Sequence, residues 1–231
     1  MKKIRLPFIF LFVLGLVGAF ADHHGEKGFI KLFNGKNFEG WSGDVRWFRI
    51  EEGAIVAGTL KEKSIVGNRF LSTIKEYYDF ELKAKVKLRP MYSDKKCNGG
   101  IQFRSIPWEG KHGMHEMYGF QADIGTGVWG TLYDESRRRK FLNPEYEGWS
   151  FGETPPLLSK LNKIVKVGDW NDYRLRVKGD HIQIWVNGHK ITDYIEKDHE
   201  IVKATGKIAL QIHSASYPQE ILYRDIYLKE L

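Results

Sequence analysis

NGGIQFRS at residues 98–105, MYGFQADIG at 117–125 and WGTLYDE at 129–135 each alternate apolar side chains with hydrogen-bonding ones. Successive side chains of a strand point to opposite faces, so Ile101 and Phe103 fall on one side and Gln102 and Arg104 on the other. Phe120, Ala122 and Ile124 separate in the same way from Gln121 and Asp123. A solvated sheet face usually carries Lys, Glu and Thr. This one carries Gln, Arg and Asp beside Trp129 and Tyr133, and it reads as the floor of a sugar-sized site.

Working outward, the same two-residue period runs through Phe80–Leu88, where Glu81, Lys83, Lys85 and Lys87 occupy the alternate positions, and it ends at Pro90. Tyr173, Leu175 and Val177 repeat it. A turn at Gly179-Asp180 leads to Ile182, Ile184 and Val186, and Asn187-Gly188 makes the next tight turn toward Ile191. Ile208, Leu210 and Ile212 alternate with Ala209, Gln211 and His213, and a last strand passes through Leu222, Ile226 and Leu228. Many short strands and no long amphipathic helix indicate an all-β, two-sheet antiparallel jelly-roll sandwich. Ile101, Phe103, Phe120, Ile208 and Leu210 are expected in the core, with Gln102, Gln121 and Gln211 lining the opposite groove. Asp134 to Val165 shows little periodicity, and its aromatic content suits a wall or lid more than disorder. Within it, LSKLNKIVKV fits a short helix or another strand.

Lys2, Lys3 and Arg5 precede an apolar run from Leu6 to Phe20, and Ala19-Phe20-Ala21 offers a cleavage site. This is the pattern of a secretory signal peptide over 1–21, followed by a tail at 22–28 and one domain at 29–231. The run is too short to span a membrane comfortably, and no Cys is placed to carry a lipid anchor. An exported protein, periplasmic or extracellular and bacterial, is expected, without a stable membrane anchor. The whole chain of 231 residues has 36 Lys and Arg against 29 Asp and Glu; losing three leader cations lowers the net charge from +7 to +4. That excess is spread along the chain, so nucleic acid is not an expected partner. The one basic run, RRRK at 137–140, suits a solvated loop or a contact to an acidic or hydroxyl-rich ligand. A single cysteine, Cys97, excludes an intramolecular disulfide and reads as a buried thiol. His23 and His24 belong to the tail, where chelation of copper or nickel with the new amino terminus is the sharper alternative to simple disorder.

Taken in order, FIKLFNGKNFEGW at 29–41, WFRIEEGAIVAG at 47–58, YDFELKAKVKL at 78–88, the three blocks above, WNDYRLRVKGDHIQIWVNG at 170–188, GKIALQIHSA and YRDIYLKEL resemble the 3-keto-disaccharide hydrolase family. The resemblance covers nearly all of the mature chain and implies a concanavalin A-like jelly roll acting on glycosides whose C3 hydroxyl is oxidised to a ketone. Such a ketone acidifies the C2 hydrogen. A base removes it, the enediolate expels the C1 substituent, and water can add back. The reaction needs a base, donors at the enolate oxygen and groups that hold the sugar, without a glycosidase pair of carboxylates.

His213 has the intrinsic pKa of a base near neutrality; Asp123 is the base or its orienting group, and Arg104 is the donor for the enolate. Gln102, Gln121, Gln211, Tyr133, Glu135 and Trp129 are assigned to substrate binding, with Asp134 or Tyr133 facing inward according to register. Glu116, Glu135 and the long loop are the reserve of catalytic groups. For each, an ordinary strand-face or ion-pair role is the plain alternative. No cofactor is expected, and a metal stays open: no His-x-His or Cys cluster announces one, yet side chains from separate strands can converge. No E-x-D-x-E motif of the laminarinase type is present, and Ser214 stands after His213 where many relatives carry Gly. A non-catalytic carbohydrate-binding jelly roll and a structural one are the competing functions. Nothing in the sequence specifies an oligomeric state.

Intact-mass measurement of the exported protein should give a chain beginning at Asp22; a retained leader, or cleavage beyond Gly28, would refute the signal-peptide reading.

Overall fold

The computed structural model describes residues 26–61, 64–90, 97–108, 116–202 and 204–231. The leader and the His23-His24 tail lie outside the described residues. The strands are β1 (Ile30–Lys31), β2 (Trp41–Gly43), β3 (Phe48–Glu51), β4 (Ala54–Thr59), β5 (Arg69–Thr73), β6 (Phe80–Pro90), β7 (Asn98–Pro107) and β8 (Met117–Gly125). They continue as β9 (Leu132–Glu135), β10 (Lys140–Phe141), β11 (Asn171–Lys178), β12 (His181–Val186), β13 (His189–Ile195), β14 (Lys207–Ile212) and β15 (Gln219–Glu230). Two one-turn α-helices, α1 (Leu158–Leu161) and α2 (His199–Val202), and 3₁₀ turns at Val45–Trp47 and Pro144–Tyr146 complete the elements, and among the described residues no helix is long and apolar enough to cross a membrane.

All ladders between these strands are antiparallel and form two sheets. One runs β13-β12-β11-β6-β15-β4-β3 with β1 beside β15, and the other β10-β9-β8-β7-β14-β5-β2. The sandwich expected from the strand pattern is present. The three consecutive strands β11, β12 and β13 pair as read from their turns. Asn187 (φ 49°) and Gly188 (φ 80°) both adopt the left-handed conformation that a two-residue hairpin turn demands.

The inner faces meet through the residues the alternation selected. Ile101, Phe103, Phe120, Ile208 and Leu210 are all inaccessible. Phe103 stacks on Phe120 at 5.6 Å and meets Phe80 of the opposite sheet edge-on at 6.1 Å. Cys97 is buried and free. Two tyrosines of the opposite sheet carry hydroxyls into this apolar layer. Tyr173 donates to the Asp123 carbonyl at 2.6 Å and accepts from the Gly130 N–H at 3.1 Å. Tyr223 spans the carbonyls of Gln211 at 2.8 Å and Gly100 at 3.3 Å. Both rings are buried, so their hydroxyls need these partners.

Residues 134–165 are more ordered than their lack of periodicity suggests. They hold the end of β9, the two-residue strand β10, a 3₁₀ turn at Pro144–Tyr146 and α1. Elements of two to four residues are too short to print a period on the sequence. LSKLNKIVKV begins with the helix, not a strand.

Tyr173→Phe and Tyr223→Phe should each lower stability by about 1–2 kcal/mol in urea denaturation, through lost hydrogen bonds at nearly constant packing. An unchanged midpoint in both variants would show that the hydroxyls contribute nothing to holding the sheets together.

Candidate active site

On the outer face of the β7–β8–β14 layer lie the alternate residues of the same strands. Gln102 stands across from Gln121, and Gln121 from Tyr133. Gly100 has to be glycine: a Cβ there would stand 2.4 Å from Gln121 Cγ, because the Gln121 side chain lies across the NGG backbone. From that position Gln121 Nε2 donates to Asp123 Oδ1 at 2.5 Å while its Oε1 accepts from Gln102 at 3.3 Å, and Ser105 Oγ donates to Gln102 at 2.9 Å. Gln211 Nε2 reaches Glu135 Oε2 at 3.4 Å. Since β8 and β7 stand between the strands carrying these two side chains, the face is concave.

A cavity of about 490 Å³ opens on this face. Gln121, Asp123, Tyr133, Glu135 and His213 line it, together with Asn68, Glu116 and Arg139, and Phe141 and Phe151 close one flank. A larger cleft of about 940 Å³ lies on the other side of the Val66–Arg69 segment. Arg49 and Arg89 in its lining share Glu51 and Glu220, Arg46 grips Asp44 through two bonds, and Arg69 Nε stands 3.8 Å from the same Asp44. The smaller cavity is the one that brings Asp123, Glu116 and Glu135 together with the His213 imidazole.

Burial sets the protonation of its acids. Asp123 lies 5 % exposed, and desolvation drives its pKa well above the usual carboxylate range despite the Gln121 bond. Burial therefore favours its neutral, proton-bearing form. Glu116 is pushed up to about 7, first by desolvation and then by the charge of Glu135. Desolvation also raises Glu135, opposed chiefly by His213. His213 Nδ1 lies 2.7 Å from the Ser214 carbonyl oxygen. A carbonyl only accepts, so Nδ1 carries the hydrogen, and in the neutral imidazole Nε2 is left as the basic nitrogen. The Ser214 hydroxyl stands 3.5 Å from Nδ1, while its amide is held by Asn68 Oδ1 at 3.1 Å.

Three expectations from sequence need correction. Arg104 does not enter the groove. A bulge between Phe103 and Ile106 gives it φ 46°, and Ser105 takes the groove-side place. The buried guanidinium donates instead to the Gly179 carbonyl at 2.8 Å, to Tyr78 O and to Asp79 at 3.3 Å, and it covers the Tyr78 ring. Trp129 is buried against Tyr173, with ring centroids 5.9 Å apart, and belongs to the core. Gln102 and Gln211 keep the predicted face but are fully covered, so they support Gln121 and Glu135 from beneath and do not bind hydroxyls directly.

Tyr133 and Glu135 face the cavity, and Asp134 faces away into Arg137 and Arg138. The RRRK run is divided. Arg138 links Asp134 to Glu196, while Arg139 (φ 55°) reaches the cavity. Sequence reasoning held Glu116 in reserve only, missed Asn68, and read the 134–165 segment as a wall without singling out its Phe141 and Phe151. Among the described residues, no three His, Cys, Asp or Glu side chains cluster closely enough to hold a metal ion.

Residues 28–229 match the model of the 3-keto-alpha-glucoside-1,2-lyase-like domain. No curated protein matches the sequence. Among solved structures, a candidate glycosyl hydrolase from Parabacteroides distasonis ATCC 8503 is similar at TM-score 0.59 and 20% identity, over 88% of this chain and 94% of that one. A non-specific endo-β-1,3(4)-glucanase of glycoside hydrolase family 16 aligns at TM-score 0.56 and 12% identity, over 89% and 96%. The family 66 carbohydrate binding module of Bacillus subtilis aligns at 0.54 and 14%, over 83% and 96%. At these identities the likeness is one of fold, the concanavalin A-like sandwich.

The raised pKa of Glu116 has a signed consequence. Between about pH 4.5 and 7 the unfolded chain has released this proton and the folded one retains it, so the stabilising linkage is complete below that window and is lost as pH rises through 7. The Glu116→Gln variant lacks this loss. Its stability relative to the parent should rise by about 1–3 kcal/mol from pH 4.5 to pH 8 in chemical denaturation; a pH-independent difference would place Glu116 in a solvated setting.

Proposed function

The chain belongs to the 3-keto-alpha-glucoside-1,2-lyase-like domain family, and on that premise we propose that it cleaves the C1–O bond of 3-keto-glycosides, 3-keto-disaccharides included, by removing the C2 proton. The family puts it among carbohydrate-active, hydrolase- or lyase-like domains. The observation that carries the finer reading is the pairing, in one cavity, of an imidazole whose Nε2 is left to accept with a carboxylic acid whose neutral form is favoured by burial.

In this reading His213 Nε2 takes the C2 hydrogen. Electron density moves onto the C3 oxygen, where the Asp123 hydroxyl donates a hydrogen bond that strengthens as charge develops. Arg139 at the rim adds positive charge. The enediolate then re-forms the C3 ketone, makes the C1–C2 double bond and expels the C1 oxygen. Glu116, half protonated near neutrality, supplies that oxygen with a proton. Release at this point is a lyase outcome; addition of water at C1 with return of a proton to C2 gives net hydrolysis. The sequence assignment of Arg104 to the enolate passes to Asp123 and Arg139, and His213 takes the base role that had been shared with Asp123. Export ahead of this chemistry is part of the same proposal, on the strength of the leader alone.

Purified protein should release the aglycone from a 3-keto-glucoside, exchange the C2 hydrogen with deuterium oxide, and leave the unoxidised glucoside intact. His213→Ala should slow exchange by about 10²- to 10⁴-fold, and Asp123→Ala should cost about 10²- to 10³-fold. Asp123→Asn, whose amide still donates, should retain much more activity than Asp123→Ala. Arg104→Ala should lower stability and leave exchange largely intact in the folded fraction. Comparable turnover of the unoxidised sugar would reject the elimination, and binding without product would identify a carbohydrate-binding module.

A further inference from the structure

Phe151 is a large apolar ring left 74 % exposed, and it lines the same cavity as the acids and the imidazole. It is held in place: its ring meets Trp149 at 5.1 Å and Phe141 at 6.0 Å. The Ser150 amide donates to Glu153 across the turn at 3.1 Å. Tyr133 then meets Phe141 edge-on at 4.9 Å, so the three rings make a continuous apolar wall.

The position of that wall is set by strand order. His213 follows β14, Asp123 is on β8 and Phe141 is on β10. Neighbouring strands are about 4.8 Å apart, so β8 and β10 are separated by roughly 10 Å, about the reach from a bound pyranose to the group on its C1 oxygen. We propose that this wall is the leaving-group subsite and that it takes a planar aromatic aglycone, making 3-keto-glycosides of aromatic alcohols and phenols the preferred substrates. This rests on the reaction proposed above. Phe141 and Phe151 offer no hydrogen-bonding group to a second sugar, whose hydroxyls would be desolvated against them without partners. A flat ring instead gains edge and face contacts and covers the exposed phenylalanine.

The test compares benzyl and methyl 3-keto-glucosides, both glycosides of unactivated alcohols, with 3-keto-trehalose as the sugar-aglycone competitor, on the parent and on Phe151→Ala. The ring is exposed, so this variant should fold. The parent should show kcat/KM about tenfold or more higher for benzyl than for methyl, with 3-keto-trehalose below benzyl. Phe151→Ala should lose about five- to tenfold on benzyl alone. Equal rates, equal losses on both glucosides, or preference for 3-keto-trehalose would overturn the proposal. If no 3-keto sugar is turned over, the reaction reading fails by itself, and calorimetry with unoxidised benzyl and methyl glucosides decides the subsite. Tighter benzyl binding that Phe151→Ala abolishes would support it; indistinguishable affinities would overturn it.

Discussion

Two phenolic hydroxyls in the middle of an apolar sandwich connect the back of this molecule to the sheet that carries the cavity. Tyr173 and Tyr223 rise from one sheet and bond the main chain of the other at Asp123, Gly130, Gln211 and Gly100. Those are the places where the floor of the cavity must be exact in height: Asp123 supplies the buried acid, Gly100 the gap into which Gln121 settles, and Gln211 the amide under Glu135. A buried hydroxyl with one geometrically satisfied partner set disfavours any sliding of one sheet over the other. Apolar packing alone is non-directional. The tyrosines add direction to it.

The same principle of enforced position separates the ionisable groups. Asp123, Glu116 and Glu135 all open on one cavity, but they differ in solvent access and partners, so they do not titrate as equals. Asp134, one residue from Glu135, faces the opposite way and is held by Arg137 and Arg138. The pleat of β9 thus divides adjacent acids between an ion-pair cluster and the cavity.

Strand parity made the core readable before any coordinate: Ile101, Phe103, Phe120, Ile208 and Leu210 alternate with amides, and a buried face must choose one set. It also put Gln121 and Asp123 on the correct side, while leaving open whether Tyr133 or Asp134 faced the groove. Parity failed at Arg104, where a left-handed residue in a bulge breaks the two-residue count, and nothing in IQFRSIP announces such a residue. Trp129 fails for a different reason, since a tryptophan suits a sugar platform and a core equally well and only the packing of Tyr173 decides between them. Asn68 was illegible, and Phe141 and Phe151 were legible only as members of an aromatic wall, because they come to the cavity from a loop and from elements of one or two residues. Glu116 sits just ahead of a strand, outside any repeating pattern, and its unusual acidity is a property of what folds over it.

The second sheet ends in strands of two and three residues, β10 and β2, and the first in β3 with four residues and in β13, whose seven residues include Lys190 and Asp193. Short or charged margins offer little unpaired backbone for a neighbouring molecule to extend. A protein whose interior is almost wholly extended chain is thereby protected against edge-to-edge stacking with its own copies, so crowding at high concentration should favour separate molecules over fibrils.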